Sequence, residues 1–174
     1  MHLTLLILLA WIAGSYMFAG AGITATGLGL LLVLTIFVII VVHELGHALV
    51  ARHFGIATRD IMLLPIGGIA SLERMPEKPS QELAVAIVGP LINLALAGVL
   101  WIGIAAAGGT LRLTEVTTFG GALATQLLWI NIALAVFNLI PAFPMDGGRV
   151  LRSVLAMRMS HERATDIAAR LGKA

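Results

Sequence analysis

Two histidines and a glutamate are spaced so that they could hold a metal ion. His43, Glu44 and His47 form the pattern His-Glu-x-x-His, directly after an apolar run over residues 28–42. On a helix, residues four apart lie one above the other on one face, so both imidazoles could bind one ion. Glu44 could then take a proton from water activated by that ion. This donor set, with one open coordination position, is typical of zinc hydrolases.

The alternative is that both histidines are satisfied by hydrogen bonds inside a helix bundle. That interpretation is weaker, because ionisable groups deep in an apolar helix are costly unless they have a function. The chain contains no Cys, so a zinc site must use nitrogen and oxygen ligands.

A zinc site of this type needs a third protein ligand, and three sources compete. His53 would fit a longer zinc motif only with Gly at position 50, where this chain has Val50. If the helix continues, His53 lies about 9 Å along the axis from His47, out of reach. The second source is three glutamates in a charged segment, where we expect them to be solvated: Glu73, Glu77 and Glu82.

Asp146 is the third source, and we predict that it is the ligand. It is the only acidic residue between Glu115 and Glu162, within a Pro- and Gly-rich break at 140–148. Two prolines and two glycines cannot continue a regular helix there. A lone carboxylate at membrane depth is costly without a cation, and a bound Zn²⁺ would supply one.

The composition is that of a helical membrane protein. Apolar residues make up 59% of the 174, charged residues 11%, and the mean hydropathy is +1.01. No basic patch is interleaved with aromatic residues, so we expect no nucleic-acid partner. We predict one integral domain over residues 1–174, of all-α polytopic class with a small β-hairpin in a loop.

Four transmembrane helices are expected, at about residues 3–22, 27–50, 83–107 and 119–139, with a resumed helix after the break. The first segment has no Lys or Arg before it and exceeds the apolar core of a signal peptide, so we interpret it as a retained span. Asn93, in the third span, is interpreted mainly as a hydrogen-bonding contact between helices, with a catalytic role as the alternative.

The polar segment 51–82 predicts two short strands around a turn at 65–68. A sheet edge beside a buried site would suit an extended peptide, and the alternative is a surface hairpin without a role. The residues that would pair with a substrate strand are Ile69, Ala70, Ser71 and Leu72.

The basic residues predict the orientation in the membrane. Ten of the eleven lysines and arginines fall on one side of the predicted spans, and Arg112 alone falls on the other. The positive-inside rule therefore places both termini and the 51–82 loop in the cytoplasm. The metal site would lie within the cell membrane, nearer the cytoplasmic face.

Three motifs together resemble the site-2 protease family of intramembrane zinc metalloproteases. They are the His-Glu-x-x-His at 43–47, Gly89-Pro90 with Asn93, and the segment from Asn138 to Asp146-Gly-Gly-Arg. The resemblance implies one Zn²⁺ on His43, His47 and Asp146. It also implies that Asn138 orients the substrate or stabilises the oxyanion, with a purely structural contact as the alternative.

The resemblance further implies cleavage of single-pass transmembrane proteins in or near the lipid bilayer, as in regulated intramembrane proteolysis. Family members usually carry two further spans, so we expect this chain to be a shortened catalytic core. The alternative function is a zinc-binding membrane scaffold or transporter without hydrolysis. Glu44 separates the two, because a binding site does not need a base beside its histidines.

Overall fold

The computed structural model describes residues 3–64, 67–72, 78–109 and 123–172, with side chains described over 6–57, 78–109 and 123–172. Within these ranges the fold is helical, with one two-stranded antiparallel sheet. The helical class predicted from the sequence is confirmed. The helices are α1 (Leu3–Phe18), α2 (Gly22–His53), α3 (Pro79–Ala106), α4 (Leu123–Asn138), α5 (Asp146–Ala156) and α6 (His161–Leu171). The strands are β1 (Thr58–Leu64) and β2 (Gly67–Leu72).

Two helices, α2 and α3, are long and apolar enough to cross a membrane, as judged by length and composition. Only 17% of the most apolar 18-residue stretch of α2 is buried within the protein, and 33% of that of α3. Large apolar side chains such as Leu31, Val38 and Trp101 are exposed, which suits contact with lipid. Helices α1 and α4 are also apolar but have 16 residues each.

Helix α2 continues past residue 50, where we predicted its end, to His53. Gly55 has φ +73°, which favours glycine, and the Ile56 N–H donates to the Ala51 carbonyl while the Gly55 N–H donates to that of Arg52. These two bonds form a Schellman motif, which ends a helix and satisfies its last carbonyls. Ile56 then packs with Ala51 and Val85, anchoring the end of α2 to the start of α3.

Helix α3 packs against α2, α4 and α5. Pro79 stands in its first turn, where proline costs no hydrogen bond. The helix then runs through Pro90 without ending. Its buried residues recur at helical spacing and define one face, which includes Glu82, Val85, Gly89 and Asn93.

Strands β1 and β2 pair with Ile61 opposite Ala70 and Met62 opposite Ile69. The pairing shifts register between Thr58 and Asp60. The sheet contacts α2. The sheet therefore lies on the same helix as the histidine pair. The turn residues 65 and 66 fall outside the described ranges.

The break between α4 and α5 is shorter than the predicted 140–148, because α5 begins at Asp146 itself. Gly147 allows a close approach: a Cβ there would press against the backbone carbonyls of Leu139 and Ile140. A Cβ at Gly148 would lie 2.8 Å from the Ala142 carbonyl carbon. The glycines after Asp146 thus let the break fold tightly against the start of α5.

Candidate metal centre

Helix α2 presents His43 and His47 one turn apart on its buried face. The two residues are 5% and 3% exposed, and their ring centroids lie 4.8 Å apart with the planes at 78°. The Nε2 atoms of the two rings are 3.1 Å apart. The i, i+4 spacing therefore aims both Nε2 atoms at one point, as the sequence predicted.

Asp146 reaches the same point from the first residue of α5. Its Oδ2 lies 3.1 Å from Nε2 of His43 and 3.1 Å from Nε2 of His47. Its side chain is 12% exposed. Three donor atoms from two distant segments of the chain thus form a nearly equilateral triangle.

The triangle fits a zinc ion. Tetrahedral zinc with ligand distances of about 2.0–2.1 Å separates its ligand atoms by about 3.3 Å, close to the 3.1 Å observed. Two neutral imidazoles and one carboxylate are a known catalytic donor set, and they leave one coordination position open. Within the described residues, this is the one cluster of three His, Asp or Glu side chains that could hold a metal ion.

Helix α3 holds the His47 ring in place. The Nδ1–H of His47 donates to the Val85 carbonyl at 2.6 Å. This bond fixes the tautomer that leaves Nε2 free to bind a metal, which is the usual arrangement behind a metal-binding histidine.

Gly89 lets α3 pass directly against the Nε2 edges of the two rings. A Cβ at this position would lie 2.5 Å from Nε2 of His43 and closer still to Nε2 of His47. Any side chain here would therefore occupy the space of the metal-binding atoms. In the sequence, Gly89-Pro90 was recognisable only as part of a family motif, and nothing in that motif indicates this contact.

Glu44 is half-buried on α2, next to His43. It follows His43 directly in the sequence and is not one of the three residues of the donor triangle. The structure thus separates the two acidic side chains near the histidines: Asp146 contacts both rings, and Glu44 does not belong to the cluster.

The two asparagines singled out from the sequence occupy different environments. Asn138 is half-buried at the last residue of α4, ahead of the break that leads to Asp146. Asn93 is 1% exposed, one turn beyond Gly89 on α3, and neither atom of its amide has a hydrogen-bond partner within the described side chains. The proposed substrate residues, Ile69 to Leu72, form the backbone of β2, and their side chains are not among those described.

Of the competing third ligands, neither His53 nor Glu82 belongs to the triangle. His53 is exposed at the last residue of α2, beside Phe54. Glu82 is fully buried, and its Oε1 accepts a hydrogen bond from Nε of Arg152 at 2.8 Å, so the expectation that it is solvated was wrong. Its burial arises because α5 packs over the start of α3. Glu73 and Glu77 lie outside the described residues.

A comparison with protein families supports the same site. The model for peptidase family M50 matches residues 31–128 and 121–174, which include both histidines, Glu44 and Asp146. This chain belongs to peptidase family M50. The resemblance to site-2 proteases inferred from the sequence is confirmed.

Relatives of this M50 chain include two proteins described as zinc metalloproteases. One, from Methanocaldococcus jannaschii, is 41% identical over 137 residues, which cover 79% of this chain and 38% of the relative. The other, described as putative, is from Synechocystis sp. and is 42% identical over 138 residues, covering 79% and 35%. The chain therefore spans little more than a third of the length of these relatives.

A solved structure has the same fold. The site-2 protease from Methanocaldococcus jannaschii matches with a TM-score of 0.65 and 37% sequence identity, over 96% of this chain and 71% of that one. This M50 chain is thus similar to a site-2 protease in sequence and in backbone.

Proposed function

We propose that this chain is the catalytic part of an intramembrane zinc metalloprotease that hydrolyses peptide bonds of transmembrane proteins. The observation that carries the proposal is the triangle of His43, His47 and Asp146 donor atoms with Glu44 beside it. Membership of family M50 and the similarity to a site-2 protease support the same reaction class. The exposed apolar faces of α2 and α3 support a site within the bilayer.

His43, His47 and Asp146 would hold one zinc ion, and Glu44 would act as the general base. When bound, zinc would act as a Lewis acid that lowers the pKa of water and polarises the scissile carbonyl. Glu44 takes the proton from the attacking water and delivers it to the leaving amine. Val85 and Gly89 keep the His47 ring in the orientation that this chemistry needs.

Strand β2 is our candidate for the surface that binds the substrate in an extended form. A transmembrane helix hides its carbonyls in hydrogen bonds, so it must unwind locally before cleavage. Among the described residues β2 pairs on one side only, with β1, and the sheet contacts the helix that carries the histidines. An unpaired strand edge can add a peptide strand through main-chain hydrogen bonds.

Two asparagines are further candidates near the reacting bond. We propose that Asn138 orients the substrate or stabilises the oxyanion, since it ends α4 immediately before the break. Asn93 is the second candidate, because its buried amide has no partner among the described side chains and needs an explanation.

The proposed arrangement in the membrane follows from the helices and the charges. We propose that residues 1–174 form one unit with four spans, formed by α1, α2, α3 and α4. The termini and the segment that contains the hairpin would face the cytoplasm, since ten of the eleven lysines and arginines fall on that side.

The test is cleavage of a single-pass model substrate by the purified chain in lipid vesicles, with zinc quantified in every sample. Wild type is compared with Glu44→Gln and with Glu162→Gln, a matched change at an exposed position on α6. We expect cleavage by wild type and Glu162→Gln only, with zinc bound by all three. Zinc in all three samples with equal cleavage by Glu44→Gln would refute the assigned base.

Zinc binding without cleavage by wild type would instead favour the alternative, a zinc-binding scaffold or transporter. Adding the remaining segments found in longer relatives separates two cases. Cleavage restored by those segments supports a protease core that needs them, whereas continued inactivity supports the binding function.

A further inference from the structure

A buried ion pair joins the start of α3 to α5, away from the metal-binding triangle. Glu82 is fully buried, and its Oε1 accepts hydrogen bonds from Nε of Arg152, at 2.8 Å, and from Nη2. The Arg152 side chain is 13% exposed. A buried carboxylate is tolerated only when it is paired, and this one is paired with a residue 70 positions away in sequence.

The same face of α3 contacts the metal centre at two other points. Val85 accepts the hydrogen bond from His47, and Gly89 lies against both histidine rings. Residues 82, 85 and 89 follow the i, i+3, i+7 spacing of one helical face. Helix α3 therefore contacts His43 and His47 of α2 directly, and it is joined to α5 through Glu82.

Arg152 lies after Asp146 on α5 and also contacts the break before Asp146. It lies on α5, about 9 Å along the axis from Asp146. Its guanidinium also stands over the ring of Phe143, at 5.6 Å, in the break that precedes Asp146. A cation over an aromatic face is attractive, so Arg152 is bound to α3 and to the break at once.

We propose that Glu82 and Arg152 are positioning residues that hold Asp146 within reach of the zinc site. The ion pair adds a polar attachment to the packing of α5 on α3. Its loss would let α5 shift along α3, and Asp146 Oδ2 would move out of the 3.1 Å triangle. The inference rests on the zinc site of the proposed function. It adds that the Glu82–Arg152 pair, which does not touch the metal-binding atoms, raises the zinc affinity of that site.

A purely structural pair would behave differently. It would stabilise the folded protein without changing the zinc affinity of the protein that remains folded. Removing one partner of a buried pair is costly in either case, because the other charge is left unpaired. The affinity for zinc, and not stability alone, is therefore the informative quantity.

The test measures the zinc dissociation constant by chelator competition in a Glu44→Gln parent, so that no proteolysis intervenes. Glu82→Gln is compared with Asp166→Asn, which removes the acid of the exposed Asp166–Arg170 pair. We expect Glu82→Gln to weaken zinc binding by about 10-fold and Asp166→Asn to leave it unchanged. The charge-exchanged double variant Glu82→Arg, Arg152→Glu should recover part of the loss.

Thermal unfolding of the zinc-free proteins completes the test. A lower unfolding temperature for Glu82→Gln with the zinc affinity of the parent would overturn the proposal. If Glu82→Gln does not fold, the zinc affinity of Arg152→Lys is measured instead, because this variant keeps the charge but loses the Nε donor. A zinc affinity equal to that of the parent would again overturn the proposal. A parent that binds no zinc would refute the proposed function itself, which is a separate result.

Discussion

Gly89→Ala tests how closely α3 must approach the metal centre. The added Cβ would lie 2.5 Å from Nε2 of His43, whereas such atoms pack at about 3.5 Å. The rings or the helix must therefore move by about 1 Å. Overpacking of this kind costs about 1–3 kcal/mol. At about 1.4 kcal/mol per factor of ten, zinc affinity should fall about 5- to 140-fold.

The penalty should appear in zinc binding rather than in folding. In the zinc-free protein the His43 ring, whose Nδ1 has no partner among the described residues, can turn away, and the His47 ring can shift slightly about its bond to Val85. Bound zinc instead holds both Nε2 atoms against the new methyl group. Alanine also favours a helix over glycine by about 0.5–1 kcal/mol. The zinc-free Gly89→Ala protein should therefore unfold at the parent's temperature or above it.

Gly98→Ala is the matched control, since a Cβ at Gly98 on the same helix has no atom of the described residues within 4 Å. The assay is chelator competition for zinc, with thermal unfolding of the zinc-free proteins. We expect weaker zinc binding for Gly89→Ala alone. Equal zinc affinities for the two alanine variants would refute the placement of α3 against the Nε2 atoms of the histidine rings.

Three further predictions follow from the same geometry. Asp146→Ala should abolish bound zinc, and retention of one zinc per chain, measured by elemental analysis, would show that another residue is the third ligand. Gly147→Ala should destabilise the fold by about 1–3 kcal/mol and so lower the unfolding temperature, because the added Cβ meets backbone atoms that cannot move aside. Gly27→Ala is the control, since a Cβ there has open space among the described residues, and it should not lower the unfolding temperature. Equal unfolding temperatures for the two variants would contradict this packing. Proline at Ala70 or at Ser71 should reduce substrate cleavage while zinc stays bound. Adjacent residues direct their N–H groups to opposite edges of β2, so one of the two prolines removes a donor from the edge that would pair with the substrate. Unchanged cleavage by both variants would count against strand pairing with the substrate.

The ligand atoms of the site were predictable because their signals are local. The spacing of His43 and His47 places both rings on one helical face whatever the rest of the fold does. Asp146 stood out as a lone acid in a segment that cannot form a regular helix. The structure brings these three together with equal separations of 3.1 Å.

The residues around the ligands were not predictable, because their roles depend on how distant helices pack. Glu82 appeared to be one of several loop acids until α5 was seen to cover it with Arg152. Gly89 carried no sign that its missing side chain makes room for histidines on another helix. The backbone carbonyl of Val85 has no sequence signature at all.

Helix ends show the same limit on a smaller scale. The apolar pattern predicted an end at residue 50, whereas Phe54-Gly55-Ile56 supplies the Schellman turn three residues later. Gly55 was a usable signal, since glycine is the usual residue in the left-handed position after a helix. Helix α5 begins at Asp146, inside the predicted break, and Gly147 packs there against the carbonyls of Leu139 and Ile140, which no local pattern reveals.

The most direct test of the central claim is X-ray absorption at the zinc edge, on the Glu44→Gln protein purified with zinc. Our account predicts one zinc per chain, with two imidazole nitrogens and a carboxylate oxygen at about 2.0–2.2 Å. We also expect Asp146→Ala to bind no zinc and therefore to give no signal at the zinc edge. A protein without zinc, or a zinc ion bound by three imidazoles, would contradict the site built from His43, His47 and Asp146.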